Sequence, residues 1–176
     1  MKICELDIAA YRGTVLQVRY DTSYIYEAVA EQRTECFGVM FQRTALPSFM
    51  RCGFDDVWGS EWLDEAELFA ALEDEETVGL LEICMERWTQ RLRISNLYVY
   101  PASRGKGCAT QLLQYVKELA KLRHIRCIVL ETQSCNDPAI QCYLRNGFVF
   151  SGCDLSFKSN TDIHMKNVRI EMSCYI

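Results

Sequence analysis

Apolar and polar positions alternate most cleanly near the end of the chain. Val168, Ile170, Met172 and Cys174 are interleaved there with Arg169, Glu171, Ser173 and Tyr175, which predicts a strand with one buried face. A helical period runs through Ala109, Leu112, Leu113, Val116, Leu119 and Ala120 and predicts an amphipathic helix. Ile128 to Glu131 reads as a strand. Asn136-Asp137-Pro138 opens a second helix that Gly147 ends, and Phe148 to Cys153 reads as another strand. Toward the N-terminus, Val15 to Tyr20 predicts a strand, and Asp21-Thr22-Ser23 predicts the cap of a helix carrying Ile25, Ala28 and Val29 on one face. Residues 37 to 60, with Pro47, Gly53 and Gly59, read as loop and short helix. Glu67 to Leu72 has helix propensity, but the acidic turn Glu73 to Glu76 and the apolar run Val78 to Met85 favour a hairpin.

Between Arg91 and Val99 the apolar residues fall at 92 and 94 and then at 97 and 99. A regular strand cannot keep both sets on one face. One extra residue near Ser95-Asn96 would restore the alternation, which is the trace of a β-bulge; a strand buried on both faces would give the same pattern. Helices mixed with strands make the fold class α/β (α+β).

The chain of 176 residues carries no internal repeat and no Pro/Gly/Ser linker, so residues 1–176 are expected to form one domain. With 24 Asp and Glu against 19 Lys and Arg, the net charge is −5, which argues against nucleic acid and toward cationic partners. Acids among the first seven residues, and no apolar run near the ~18 residues of a membrane span, predict a soluble, cytoplasmic protein with no membrane partner. Ten cysteines without a CxxC pair, and only His124 and His164, predict reduced, mostly buried thiols and no metal site. Charge is segregated, with twelve carboxylates and no Lys or Arg in residues 55 to 86, then nine basic residues and one acid in residues 87 to 126. The two stretches suit opposite ligands.

The turn Arg104-Gly105-Lys106-Gly107-Cys108-Ala109-Thr110 lies between a predicted strand and a predicted helix. Free first-turn N–H groups, the positive helix end and two glycines can cradle a pyrophosphate there, with charge added by Arg104 and Lys106. A Walker loop needs Ser or Thr where Gly107 stands, and a dinucleotide fingerprint needs Gly or Ala where Thr110 stands. A plain surface turn is the other alternative.

The R-x-x-G-x-A pattern from Arg104 to Ala109, followed by Asn136-x-x-Ala139-x-x-x-Tyr143-x-x-x-Gly147-Phe148, resembles the GNAT superfamily of N-acyltransferases over residues 77 to 153. Leu130 to Asn136, the region of Trp88 and Arg91-Leu92-Arg93, and Ser159-Asn160-x-Asp162-Ile163 are similar to streptothricin N-acetyltransferases. That likeness spans most of residues 15 to 176, and residues 36 to 66 contribute nothing to it. The resemblance implies a mixed, mostly antiparallel central sheet with a bulged, splayed strand pair and flanking helices. It implies acetyl-CoA as cosubstrate and, as acceptor, the β-lysine amine of a cationic antibiotic. It also makes a homodimer reasonable. A polyamine, an aminoglycoside or a protein amine is the alternative acceptor, and a non-catalytic acyl-CoA-binding module is the alternative function.

Carried to this chain, the resemblance implies that Arg104, Gly105, Lys106, Gly107, Cys108, Ala109 and Thr110 hold the coenzyme pyrophosphate. Leu97, Tyr98 and Val99 pair with the pantetheine arm, an N–H near Val99 holds the thioester oxygen, and Asn136 binds the arm from the other side. Tyr143 becomes the candidate general acid for a leaving thiolate; a core tyrosine beside Ile140 and Leu144 is the competing reading. No carboxylate stands in residues 91 to 99, so Glu82 and Glu131 become the candidate bases, directly or through a water held by Ser95 or Asn96. Recognition of an ammonium group is their other reading. Trp88 and Asp154 are candidates for the acceptor pocket, with a core position as the alternative for Trp88. If the two charged stretches flank one cleft, the acidic one draws in the amine and the basic one meets the coenzyme phosphates.

Overall fold

The computed structural model describes residues 1–176. Its strands are β1 (Lys2–Leu6), β2 (Val15–Gln32), β3 (Phe37–Val57), β4 (Glu67–Glu73), β5 (Glu76–Glu86), β6 (Arg91–Val99), β7 (Cys127–Gln133), β8 (Val149–Asp154) and β9 (Arg169–Tyr175). The helices are α1 (Cys108–Leu122) and α2 (Asp137–Arg145). Seven strands form one sheet in the order β1-β4-β5-β6-β7-β9-β8, and β2 pairs with β3 in a separate ribbon. Every neighbouring pair is antiparallel except β6 and β7, which α1 connects as a crossover. This is the mixed, mostly antiparallel sheet with flanking helices that the family resemblance implies. No helix is long and apolar enough to cross a membrane.

The main core joins Leu81, Ile83, Leu92, Ile94, Ile128 and Leu130 of the sheet to Leu112, Leu113, Val116, Ile140 and Phe148. Alternate residues of the same strands point to the opposite face. At one end of that face Leu68, Ala70 and Leu80 pack with Leu16 and Trp58 under the ribbon. Farther along it, Arg91, Arg93 and Arg169 interlace with Glu86, Glu131 and Glu171 across β5, β6, β7 and β9. All ten cysteines are free; half are buried and Cys36 is exposed.

The ribbon corrects two expectations. Residues 21 to 30 are strand, not helix, and residues 37 to 57 are strand, not loop and short helix. Leu16, Val18, Tyr20 and Thr22 turn inward, then the phase changes and Ile25 is buried. The change is a bulge at Ser23, where pairing passes from Thr22↔Met50 to Tyr24↔Ala45. The Thr22 hydroxyl accepts from Tyr24 N and donates to Tyr24 O, so the residues that resemble a helix cap close a bulge instead. Opposite Ser23, residues 46 to 49 stand out of the ladder, so Pro47 forfeits no ladder bond. The short edge strand β1 gives no comparable sequence signal.

Four contacts strap the ribbon to the body near the β7–α2 junction. Tyr26 N donates to Ser134 O at 2.8 Å, and Gln141 Nε2 donates to the Tyr26 hydroxyl at 2.7 Å. Arg43 makes a two-pronged pair with Asp137 at 2.7 and 3.0 Å while stacking 3.7 Å from the Tyr24 ring centre. Phe41 meets Phe150 with ring centres 5.5 Å apart.

Gly147 follows Asn146, the cap residue at the end of α2, with φ +81°, a left-handed conformation in which a side chain is strained. Gly147→Ala should therefore lower stability by about 1–2 kcal/mol in urea unfolding, and an unchanged midpoint would contradict this. A second expectation concerns acid. Burial works to raise the Glu86 carboxyl, but the hydrogen bonds and charges of Arg93 and Arg91 outweigh it and hold its pKa below the ordinary 4.5. Its stabilising contribution is full above that value and is lost as pH falls through the folded pKa. The stability advantage of wild type over Glu86→Gln should thus shrink as unfolding is followed from about pH 6 to pH 3.

Candidate active site

β6 and β7 stay paired only from Arg91↔Cys127 to Ile94↔Leu130. At that point Glu82 pairs with Asn96 and Ile83 with Ile94, which leaves Ser95 as the extra residue of a bulge. The expected bulge is therefore present, and the two strands separate beyond it. The contact from Tyr100 N to Val78 O sets the phase of the β5–β6 ladder, so Leu80↔Tyr98 is a hydrogen-bonded pair and Gly79↔Val99 is not. Leu97 and Val99 consequently turn their own N–H and C=O groups away from β5, into the gap. Val99 O accepts there from Arg104 Nε at 3.1 Å.

The gap opens into a cleft of about 780 Å³, walled by Leu97 to Val99, the turn after β6, the α2 side from Asn136 to Arg145, and the ribbon residues Val18 to Asp21 with Arg43. Gly105 and Gly107 have φ values of +75° and +87°, which glycine adopts without strain. Gly107 is also the first cap of α1. No side chain caps that helix end and no acid stands in its first turn, so its free N–H groups and positive dipole end are left for an anion. The start of α1 lies close against β5: a Cβ on Gly79 would come within 2.7 Å of Cys108 Sγ and 3.1 Å of Tyr98 O.

Tyr143 is held in the cleft wall by the end of its own helix. Phe148 N donates to Tyr143 O at 3.0 Å and Gly147 N to Leu144 O at 3.1 Å, the paired bonds of a Schellman ending. The rings of Tyr143 and Phe148 lie 5.9 Å apart across it. The Tyr143 hydroxyl has no protein partner, and no buried side-chain oxygen or nitrogen in the molecule lacks one, so this hydroxyl reaches the cleft. Burial, with a smaller push from Cys142, raises its pKa, so it keeps its proton at neutral pH. Asn136 caps α2 by accepting from Ala139 N at 3.3 Å, and it also lines the cleft.

The candidate carboxylates sit elsewhere. Glu82 is fully buried and takes Gly59 N at 2.6 Å, Ser95 Oγ at 2.7 Å and Asn96 Nδ2 at 3.0 Å. Glu131 accepts from both Arg93 and Arg169. Trp88 is 88% exposed on the β5–β6 turn, so it is neither a core residue nor part of the cleft wall. Asp154 accepts from Ser156 at the exposed end of β8, and Lys106 lies in the turn without lining the cleft. Leu97, Tyr98, Val99, Arg104, Gly105, Gly107, Cys108, Ala109, Thr110, Asn136 and Tyr143 are brought together.

The segregated charge does not flank the cleft. Asp55 pairs with Arg19, Glu65 with Arg87, Glu67 with Arg123, and Glu86 with Arg91 and Arg93. The carboxylates of the cleft wall are Asp21 and Asp137, and Arg19, Arg43, Arg104 and Arg145 are its cations. Asp21 and Arg43 escape a reading of Asp21 onward as a capped helix and of residues 37 to 60 as loop and short helix. The change from even to odd buried positions at Ser23 is the signal that marks β2, the strand of Asp21.

The profile described as acetyltransferase (GNAT) family matches residues 26–148. A streptothricin acetyltransferase of Streptomyces lavendulae is 34% identical over 116 residues, 61% of each chain. One from Escherichia coli is 35% identical over 92 residues, 52% of each chain, so the match spans about three-fifths and half of these relatives. Among solved structures, nourseothricin acetyltransferase superposes with a TM-score of 0.76 at 22% identity, over 99% of this chain and 97% of that one. A Bacillus anthracis protein, provisionally named a streptothricin acetyltransferase and solved with acetyl coenzyme A, gives 0.69 at 19% identity with the same coverage. At such identities these two likenesses speak for the fold, while the profile covers well over half of the sequence. The chain belongs to the acetyltransferase (GNAT) family.

Proposed function

We propose that the protein transfers an acetyl group from acetyl-CoA to a primary amine of a small cationic acceptor of the streptothricin type. The observation that carries this reading is one cleft in which the unpaired β6 edge, the uncapped start of α1 and the Tyr143 hydroxyl meet. The coenzyme supplies the acetyl thioester. Backbone N–H groups of the turn from Arg104 to Thr110 hold its pyrophosphate, and Leu97 and Val99 pair with its amide-bearing arm as a neighbouring strand would. The Val99 N–H holds the thioester oxygen as negative charge gathers on it.

Tyr143 donates its proton to sulfur as the C–S bond breaks. An ordinary phenol near pKa ~10 faces a thiol near ~8.5, and the same dry wall that raises the phenol raises the thiol. Glu82 has both oxygens engaged by donors, and Glu131, which is not part of the cleft wall, holds Arg93 and Arg169 through Oε1, so in this reading they fix the bulge and the arginine lattice while the amine gives its proton to cleft water. That engagement also favours a second reading, a module that binds acyl-CoA without turning it over.

Purified protein with acetyl-CoA and streptothricin should release free thiol and yield an acetylated amine by mass spectrometry; coenzyme binding without thiol release would select the second reading. Tyr143→Phe should keep coenzyme affinity and lose about 10²-fold or more in kcat. For Glu82→Gln the expected result is a loss of about 1–3 kcal/mol in stability with the shape of the pH–rate profile retained, whereas a vanished acid limb would make Glu82 the base.

A further inference from the structure

We infer that Asp21 selects the acceptor, by holding a second positive charge on the molecule whose amine is acetylated. This rests on the proposed acetyl transfer. With the coenzyme placed against β6, the 104–110 turn and α2, the wall left for the acceptor is the ribbon, with Val18 to Asp21 and Arg43. Most polar groups of that wall are engaged. Arg19 donates to Val18 O and Phe54 O, each at 2.8 Å, and pairs with Asp55 at 2.6 Å. The Tyr20 hydroxyl lies 3.5 Å from Cys135 Sγ.

Asp137, the other cleft carboxylate, has one oxygen on Arg43 Nε and the other on Arg43 Nη2. Asp21 differs. Its Oδ1 accepts a single bond from Arg51 Nε at 3.2 Å and its Oδ2 has no partner, with both side chains more than half exposed. In a cleft lined by four arginines, Asp21 offers the uncommitted carboxylate oxygen that an ammonium can reach. The attacking nitrogen must be neutral when it reacts, so an ion pair with Asp21 requires a second basic nitrogen. The acceptor class is therefore a compound with two cationic nitrogens, one held and one acetylated.

The test uses two primary amines of matched length, one ending in a quaternary ammonium group and the other in a tert-butyl group. Wild-type protein should favour the cationic amine in kcat/KM by about fivefold or more, with the difference residing in KM. Asp21→Asn should bring that ratio close to one, Asp21→Glu should retain most of it, and Arg51→Gln, which removes the competing cation, should raise it. A preference preserved in Asp21→Asn, or equal rates for the two amines in wild type, overturns the role of Asp21 while leaving acetyl transfer standing. Coenzyme binding without thiol release from these amines and streptothricin overturns acetyl transfer, and the role of Asp21 with it.

Discussion

One surplus residue in one strand governs the arrangement of this molecule. Ser95 has no opposite number in β5, so β6 cannot stay in step with both of its neighbours. It keeps β5 and leaves β7, and the backbone groups freed by that choice become the wall of the cleft. Such a break would be costly if its polar groups were buried and unpaired. Glu82 prevents this by gathering donors from Ser95, from Asn96 and from Gly59 beyond the ribbon, so the bulge and the far end of β3 are tied at one carboxylate.

The helix ends divide the remaining work. α1 begins without a cap, which leaves its field and its free N–H groups pointing into the cleft. The close approach at Gly79 seats that helix end against β5. α2 does the opposite at both ends: Asn136 satisfies its start, and Gly147 lets Phe148 fold back over Tyr143. An open terminus suits an incoming anion, while a closed one suits a side chain whose position has to be fixed.

Much of this was legible in the sequence where the signal is local. The period of α1, the alternation of β9, the glycines at 105 and 107 and the phase change near Ser95 each involve residues a few positions apart. Beyond Tyr20 the ribbon was not legible. Asp21-Thr22-Ser23 carries hydroxyl and carboxyl groups that serve a helix cap or a strand bulge equally well, and only pairing with β3 decides between them. The fate of Glu82 and Glu131 was hidden for a related reason. Their donors come from positions as distant as Gly59 and Arg169, and nothing in the spacing along the chain brings those together. The segregated charge misled in the same way, because adjacent acids in sequence find separate arginines in space.

The cleft is assembled from two distant stretches of chain. Residues 97 to 145 supply the β6 edge, the turn, α1 and α2, while residues 18 to 43 supply the facing wall. The ribbon meets the other half through a handful of straps such as Arg43–Asp137 and Tyr26–Ser134. Substitutions along β2 and β3 can therefore alter which amine is admitted while the phosphate turn and Tyr143 stay as they are. Such a division lets selection rework the acceptor without rebuilding the chemistry.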